Sequence, residues 1–474
     1  MGGIVKKFFL FALLLPALAL ALYDMKWFDL NHWSASFFND GRWGYDPTIG
    51  SGVPGASWPQ PLKNFYVFGA GQWLGAILPS PSPETLCTFM YNPNTSGTEA
   101  YPTLCRHWRE GTDSLDRVYK FPGDWPPPLS RFPMAPQNPL SDMDLWCSFC
   151  DSNPANHIPP GRPLGIDAYL TVYGFGDSVA QDFFFLKYEL TNCLGDSIRY
   201  AYFGMALDVD IGDGSDDKAG LILDHLFQVG QETIRVRNTA FAYDYDNIEN
   251  PGSTWESGTP GAIAVMLLSA PDSLGLTAFK QLTVDIDPVT DPEQYLTLAG
   301  YNYHTGLYEP YDSLPNPAPV NLRMLPSSGP FGLAPDSTVT FWYAIIGSPF
   351  GDSGQAPSER DTSELALRCK WARYYFGLLT GISEGSPSAK VRPPDFGPTI
   401  VRNVLFLPRD MTEIRPGIWD RVPRPSLLDI SGRTVMDLRS GTNDVSRLSP
   451  GVYFVREAQA QAQAQAVRKV IITR

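Results

Sequence analysis

Five carboxylates crowd ten residues of the chain: Asp208, Asp210, Asp213, Asp216 and Asp217. Such density repels itself unless water solvates it or a cation neutralises it, and Ca2+ takes carboxylate and carbonyl oxygens from a flexible loop. The spacing departs from an EF-hand loop, because Gly212 stands where the third ligand should be and Asp213 follows one residue late. Asp244 and Asp246 could join from a neighbouring loop. The run has two readings, a Ca2+ site and a solvated acidic turn, and the residues alone leave both open.

Six cysteines, Cys87, Cys105, Cys147, Cys150, Cys193 and Cys369, are the next candidates. Cys147-Ser-Phe-Cys150 invites redox or zinc chemistry, with Cys105, His107 and His157 as further ligands. No second CxxC follows at zinc-ribbon spacing, and nothing nearby resembles a thioredoxin βαβ unit. Structural cysteines, as disulfides or buried thiols, are therefore expected in an exported chain, with about fifteen full pairings open.

Hydrolase motifs fare worse. Gly381-Ile382-Ser383-Glu384-Gly385 spells G-x-S-x-G, but a nucleophile elbow needs a strand before the serine and a helix after it, and here a helix precedes and a linker follows. Gly351-Asp352-Ser353-Gly354 shares its Gly-Asp-Ser with Gly176 and Gly195, which makes the tripeptide turn chemistry. None of the five histidines sits in a triad context, and HExxH, P-loop and GxGxxG patterns are missing from the sequence. A carboxylate pair for glycoside hydrolysis could come from any of the 43 acids between residues 22 and 400, and no pair stands out.

The elements that would position these groups are strands. With 474 residues, 44 Pro, 42 Gly, 13% aromatic and 18% charged residues, the chain is too aromatic for disorder and too Pro-rich for a helical fold. Phe184, Leu186, Tyr188 and Leu190 alternate with Lys187, Glu189 and Thr191; Ala201 to Leu207 and Val339 to Ile345 repeat the period of two. An antiparallel sandwich follows. Residues 363 to 379 form the one convincing helix, with Ser363 as N-cap and Leu365, Leu367, Trp371 and Tyr374 at helical spacing. Eight tryptophans lie between Trp27 and Trp146; they could make a platform for sugar rings, but packing beneath Pro-rich loops is the expectation.

Charge divides the chain. Net charge is −14, which excludes a nucleic-acid partner because such binding needs a basic footprint. Residues 22 to 400 hold 22 basic against 43 acidic groups, whereas 401 to 474 hold 12 against 7. Four segments are expected: a signal peptide at 1–21, a body at 22–380, a linker at 381–400 and a tail at 401–474. Lys6 and Lys7 precede an apolar run from Phe8 to Leu22, and Ala19-Leu20-Ala21 supplies the cleavage pattern.

The tail carries a specific pattern. Leu427-Leu428-Asp429-Ile430-Ser431-Gly432-Arg433-Thr434-Val435, then Asn443-Asp444-Val445, Leu448-Ser449-Pro450-Gly451-Val452-Tyr453-Phe454 and a basic last strand containing Lys469 resemble a type A C-terminal sorting domain of the type IX (Por) secretion system. The departure is Ala458 to Ala466, alternating Ala and Gln where that family has a short hairpin loop. The resemblance implies a small immunoglobulin-like sandwich whose Asp429, Gly432, Arg433, Asn443, Pro450, Gly451, Tyr453 and Lys469 belong to a signal read by outer-membrane secretion machinery. It implies delivery to the cell surface or release. In the body, Trp58-Pro59, residues 68 to 76, residues 207 to 213 and residues 328 to 335 resemble blocks of large exported cargo proteins of unknown activity.

The expectation is an all-β protein: a large antiparallel β-sandwich body with one helix near its end, and a small immunoglobulin-like β-sandwich tail. Its expected role is non-catalytic, binding a glycan or surface ligand or building the envelope, with Ca2+ in the acidic run as a candidate cofactor. The alternative is a secreted glycan-active hydrolase.

Overall fold

Period-two alternation puts two sets of side chains on opposite faces, and in this chain several strands are apolar on both. The computed structural model describes residues 23–47, 53–78, 83–283, 287–312, 321–350, 359–381, 399–401, 404–407, 426–429, 433–439, 441–456 and 467–472. The signal segment, both serine motifs apart from Gly381, most of the linker, Gly432 and the Ala/Gln run lie outside the described residues. The chain divides into two compact units, Met1–Ser383 and Glu384–Arg474.

The first unit holds two eight-stranded sheets. With strands numbered along the chain, one sheet runs β1 (Met25–Phe28), β2 (Ser34–Phe38), β5 (Ala56–Ser57), β6 (Phe65–Leu78), β12 (Ile198–Val209), β17 (Arg323–Leu333) and β16 (Ala278–Leu282), with β7 (Glu84–Phe89) also on β6. The other runs β13 (Asp217–Val229), β14 (Glu232–Asp244), β15 (Gly261–Ser269), β18 (Thr338–Pro349), β11 (Phe183–Asn192), β10 (Ile166–Gly174), β9 (Met143–Cys150) and β8 (Tyr119–Phe121). A short ladder joins β3 (Tyr45–Asp46) to β4 (Val53–Pro54). Pairing within both large sheets is antiparallel.

Between the sheets lies the main core. Phe184, Leu186, Tyr188 and Leu190 meet Phe203, Met205 and Leu207 there, together with Phe341, Tyr343 and Ile345, as the alternation requires. The other face of the second sheet is apolar too, through Phe183, Phe185, Val236, Ala264, Trp342 and Ile346. Helix α2 (Glu359–Thr380) covers it, burying Leu365, Ala366, Cys369, Ala372 and Phe376. The helix starts before Ser363, so that residue is not its N-cap. Tyr374, expected on the apolar stripe, is 56% exposed.

A second helix, α1 (Asp291–Leu298), corrects the expectation of a single one. Its start is written locally: Thr290 and Glu293 form a reciprocal capping box, and Pro292 sits in the first turn where its missing N–H is harmless. Leu298 packs with Trp73, Phe89 and Leu325 against the outer side of the first sheet.

The second unit has a five-stranded sheet in the order β19 (Thr399–Val401), β25 (Val467–Ile472), β24 (Gly451–Arg456), β21 (Ser426–Leu428) and β22 (Thr434–Asp437). A separate ladder pairs β20 (Val404–Leu407) with β23 (Gly441–Asp444). The β19–β25 pair is parallel and the rest are antiparallel. Leu427, Leu438, Val445, Val455 and Ile472 form its core.

Candidate functional site

The acidic run occupies the connection where the chain leaves one sheet at the end of β12 and enters the other at the start of β13. Strand register then decides which carboxylates meet. Asp217 lies directly opposite Asp244 in the β13–β14 ladder, and both are fully buried. Like charges facing each other across a ladder are destabilising, and burial adds a desolvation cost. Each accepts one backbone bond, Ile211 N–H to Asp217 Oδ2 at 3.2 Å and Ile248 N–H to Asp244 Oδ1 at 3.2 Å. Asp217 Oδ1 and Asp244 Oδ2 have no hydrogen-bond partner among the described residues.

Asp216 and Asp246 complete the group. Oxygens from Asp216, Asp244 and Asp246 all lie within 4.8 Å of one another. The neighbouring backbone is shaped to let acids approach. Gly212 has φ of +70°, and a Cβ added to it would collide with the Glu249 carboxylate, which accepts the Asp213 N–H at 2.8 Å. A Cβ on Gly214 would collide with Asp210.

The electrostatics follow from this crowding. Burial, then Asp216, Glu249 and Asp246, pushes Asp244 up to about 7. Burial and the charge of Asp208 push Asp210 up to about 7, against the pull of Arg323. Asp217 is held well above the ordinary carboxylate range, chiefly by burial. A divalent cation would reverse each of these penalties, and unpaired carboxylate oxygens from a loop and two strand ends are the hard donor set that Ca2+ takes.

Asp208 has a different fate. It pairs with Arg323 across the β12–β17 ladder, at 3.1 Å from Nε, and accepts the Tyr91 hydroxyl at 3.1 Å. Arg323 also faces Asp287 at 3.7 Å. Asp208 thus belongs to a buried ion-pair group, and Asp213 engages Glu249 through its backbone; the residues brought together for a cation are Asp216, Asp244 and Asp246, with Asp217 opposite Asp244 in the ladder.

The other candidates are placed as follows. Trp33, Trp43, Trp73 and Trp146 are almost fully buried and Trp58 is 6% exposed, while Trp27, Trp108 and Trp125 are half-buried. The ring cluster is core. Cys147 and Cys150 are three apart on a strand and so face opposite ways: Cys147 joins the inter-sheet core, and Cys150 faces Cys105. The two do not chelate together. His157 lies beside Glu99, at 3.3 Å between Nδ1 and Oε2, and His107 beside Glu110 at 2.9 Å.

In the tail, the residues of the sorting pattern close turns. Arg433 donates from N and Nε to the Asp429 carboxylate, both at 3.1 Å, and Asp429 N–H returns to Arg433 O at 2.9 Å. Asn443 is buried and bonds the Arg439 backbone twice, at 2.8 and 2.9 Å. Tyr453 donates its hydroxyl to Ser449 O at 2.8 Å across the Pro450-Gly451 turn, and Lys469 stands opposite Phe454 in the β24–β25 ladder.

No family model matches the chain, and no curated protein matches it. Among solved structures, a polysaccharide lyase is similar at 7% sequence identity with a TM-score of 0.21, over 95% of this chain and 46% of that one. This chain spans about half the length of that protein. A likeness of that size says nothing about activity.

Proposed function

We propose that this is an exported protein with a non-catalytic, structural or ligand-binding role at the cell surface or beyond, and that Ca2+ fastens its acidic corner. One observation carries the Ca2+ reading: Asp217 and Asp244 oppose each other fully buried, each with an oxygen that has no hydrogen-bond partner among the described residues, beside Asp216 and Asp246. The non-catalytic reading is supported by where the reactive side chains go. Arg323 holds Asp208 and Glu99 holds His157 in the interior, and Asp182 is engaged by His32 at 2.8 Å and Arg368 at 3.0 Å.

The tail is the export address in this reading, and its support is the sorting-domain resemblance together with the turn-closing bonds of Asp429, Asn443 and Tyr453. Calorimetric titration of the full chain with Ca2+ tests the first part; no heat of binding at millimolar Ca2+ would sink it. Expression in a bacterium with a type IX system tests the second, and removal of residues 467–474 should leave the protein in the periplasm. Turnover in a screen of glycan substrates would replace the non-catalytic role with the hydrolase alternative.

A further inference from the structure

Two cysteines from separate stretches of chain converge on one carboxylate at the ends of strands in the second sheet, and a third cysteine lies across the ladder from that carboxylate. Cys150 ends β9 and lies directly opposite Asp167 at the start of β10. Cys193 follows the end of β11, where its N–H donates to Gly165 O at 2.9 Å. Cys105 comes from the loop before β8, and its N–H donates to Asp167 Oδ1 at 2.6 Å. Ligand atoms of Cys105, Asp167 and Cys193 all lie within 4.8 Å of one another. Cys150 is buried on the neighbouring strand, on the Cys105 side of this group.

We propose that Cys105, Cys193 and Asp167 hold a structural zinc ion, with the buried Cys150 thiol next to Cys105 as its fourth donor. Four donors, three sulfur and one oxygen, match the closed tetrahedral set that zinc takes, and thiolate softness favours zinc over Ca2+ or Mg2+. Two thiolates on one tetrahedral zinc sit about 3.8 Å apart, given Zn–S bonds of about 2.3 Å. A disulfide is the competing use of these thiols in an oxidising compartment. It would join two sulfurs and leave the third thiol beside the bond, where a thiolate attacks disulfides. Zinc uses all three and the carboxylate as well. Binding releases the thiol protons and involves no oxidant.

The role is a staple. The site ties the 101–110 loop to the ends of three adjacent strands, β9, β10 and β11. The CxxC spacing points elsewhere, because Cys147 faces the core while Cys150 lies opposite Asp167 and on the Cys105 side.

The test is elemental analysis of the full chain, produced with zinc in the medium and purified without chelator. Equimolar zinc is expected, and Co2+ exchanged into the site should give thiolate-to-metal absorption in the near ultraviolet. Cys193→Ser and Asp167→Asn variants that keep the parent circular dichroism should lose most of the zinc, while Cys87→Ala should keep it. Absence of zinc from the parent overturns the proposal, whether peptide mapping then finds Cys105 joined to Cys150 or Cys193 or finds all three thiols free. Full zinc content in a folded Cys193→Ser, Asp167→Asn double variant overturns it equally.

Discussion

Replacing Asp244 by Asn should have opposite effects on stability with and without Ca2+. Asp216, Asp244 and Asp246 place oxygens within 4.8 Å of one another, and two unit charges at that separation repel by about 3.5 kcal/mol at an effective dielectric constant of about 20. Asp244 takes part in two of these three pairs and also faces Asp217. The variant removes those repulsions while its Oδ1 can still accept the Ile248 N–H. Protonation already relieves part of the strain, since Asp244 is pushed up to about 7. In EDTA at about pH 8, Asp244→Asn should therefore be more stable than the parent by about 2 kcal/mol, or about 2–4 °C in Tm.

In Ca2+ the order should reverse. At a hundredfold excess over a Kd of about 0.1 mM, typical of extracellular sites, the parent gains about 2.7 kcal/mol, and the variant should show no such increment. The pH dependence has a defined sign. An acid whose pKa is raised by folding keeps a proton that the unfolded chain gives up, so stability without Ca2+ falls as pH rises from about 4 to about 7. The Ca2+ increment should grow over the same window. Calorimetric melting of both proteins, in EDTA and in Ca2+, reads all of this. An unchanged parent Tm between EDTA and Ca2+ at about pH 8, or a full Ca2+ increment in Asp244→Asn, would refute the reasoning.

Three further outcomes are expected. Arg323→Met leaves Asp208 and Asp287 buried without their cation and should cost about 3–5 kcal/mol in urea unfolding; a loss below about 1 kcal/mol contradicts the ion-pair account. His157 is pushed up to about 9, the adjacent Glu99 carboxylate outweighing burial, so its contribution is fully present below about 6.5 and is lost as pH rises through about 9. Unfolding free energies measured across that range should fall for the parent and stay flatter for His157→Gln. Gly212→Ala combines φ of +70° with a collision against Glu249, and should lose about 1–3 kcal/mol and weaken the Ca2+ increment in the same melting assay.

Local patterns carried far in this chain. Alternation at Phe184–Leu190, Ala201–Leu207 and Val339–Ile345 identified strands and the faces they bury, because the strand period is a property of the backbone itself. The bonds from Arg433 to Asp429 and from Tyr453 to Ser449 are local in the same way, each joining residues four apart. Helix α1 was equally local, since Thr290-Asp-Pro-Glu293 spells a capping box, but eight residues make too short a period to stand out beside it.

What the tertiary structure alone decided was which charges and thiols meet. The acidic run was visible in the sequence, yet Asp208 went to Arg323 and Asp217 to Asp244 because strand register paired residues far apart along the chain. The burial of the tryptophans was likewise tertiary: Trp33, Trp43 and Trp58 lie in the main core, Trp73 packs with Leu298, and Trp146 packs with Phe132 and Tyr119. Cys150 faces the Cys105 side and its near neighbour Cys147 faces the core, since residues three apart on a strand point to opposite faces. Sequence determines how a segment alternates and turns; the partner across a ladder depends on the whole set of strands competing to bury their apolar faces, and that competition is resolved only in the fold.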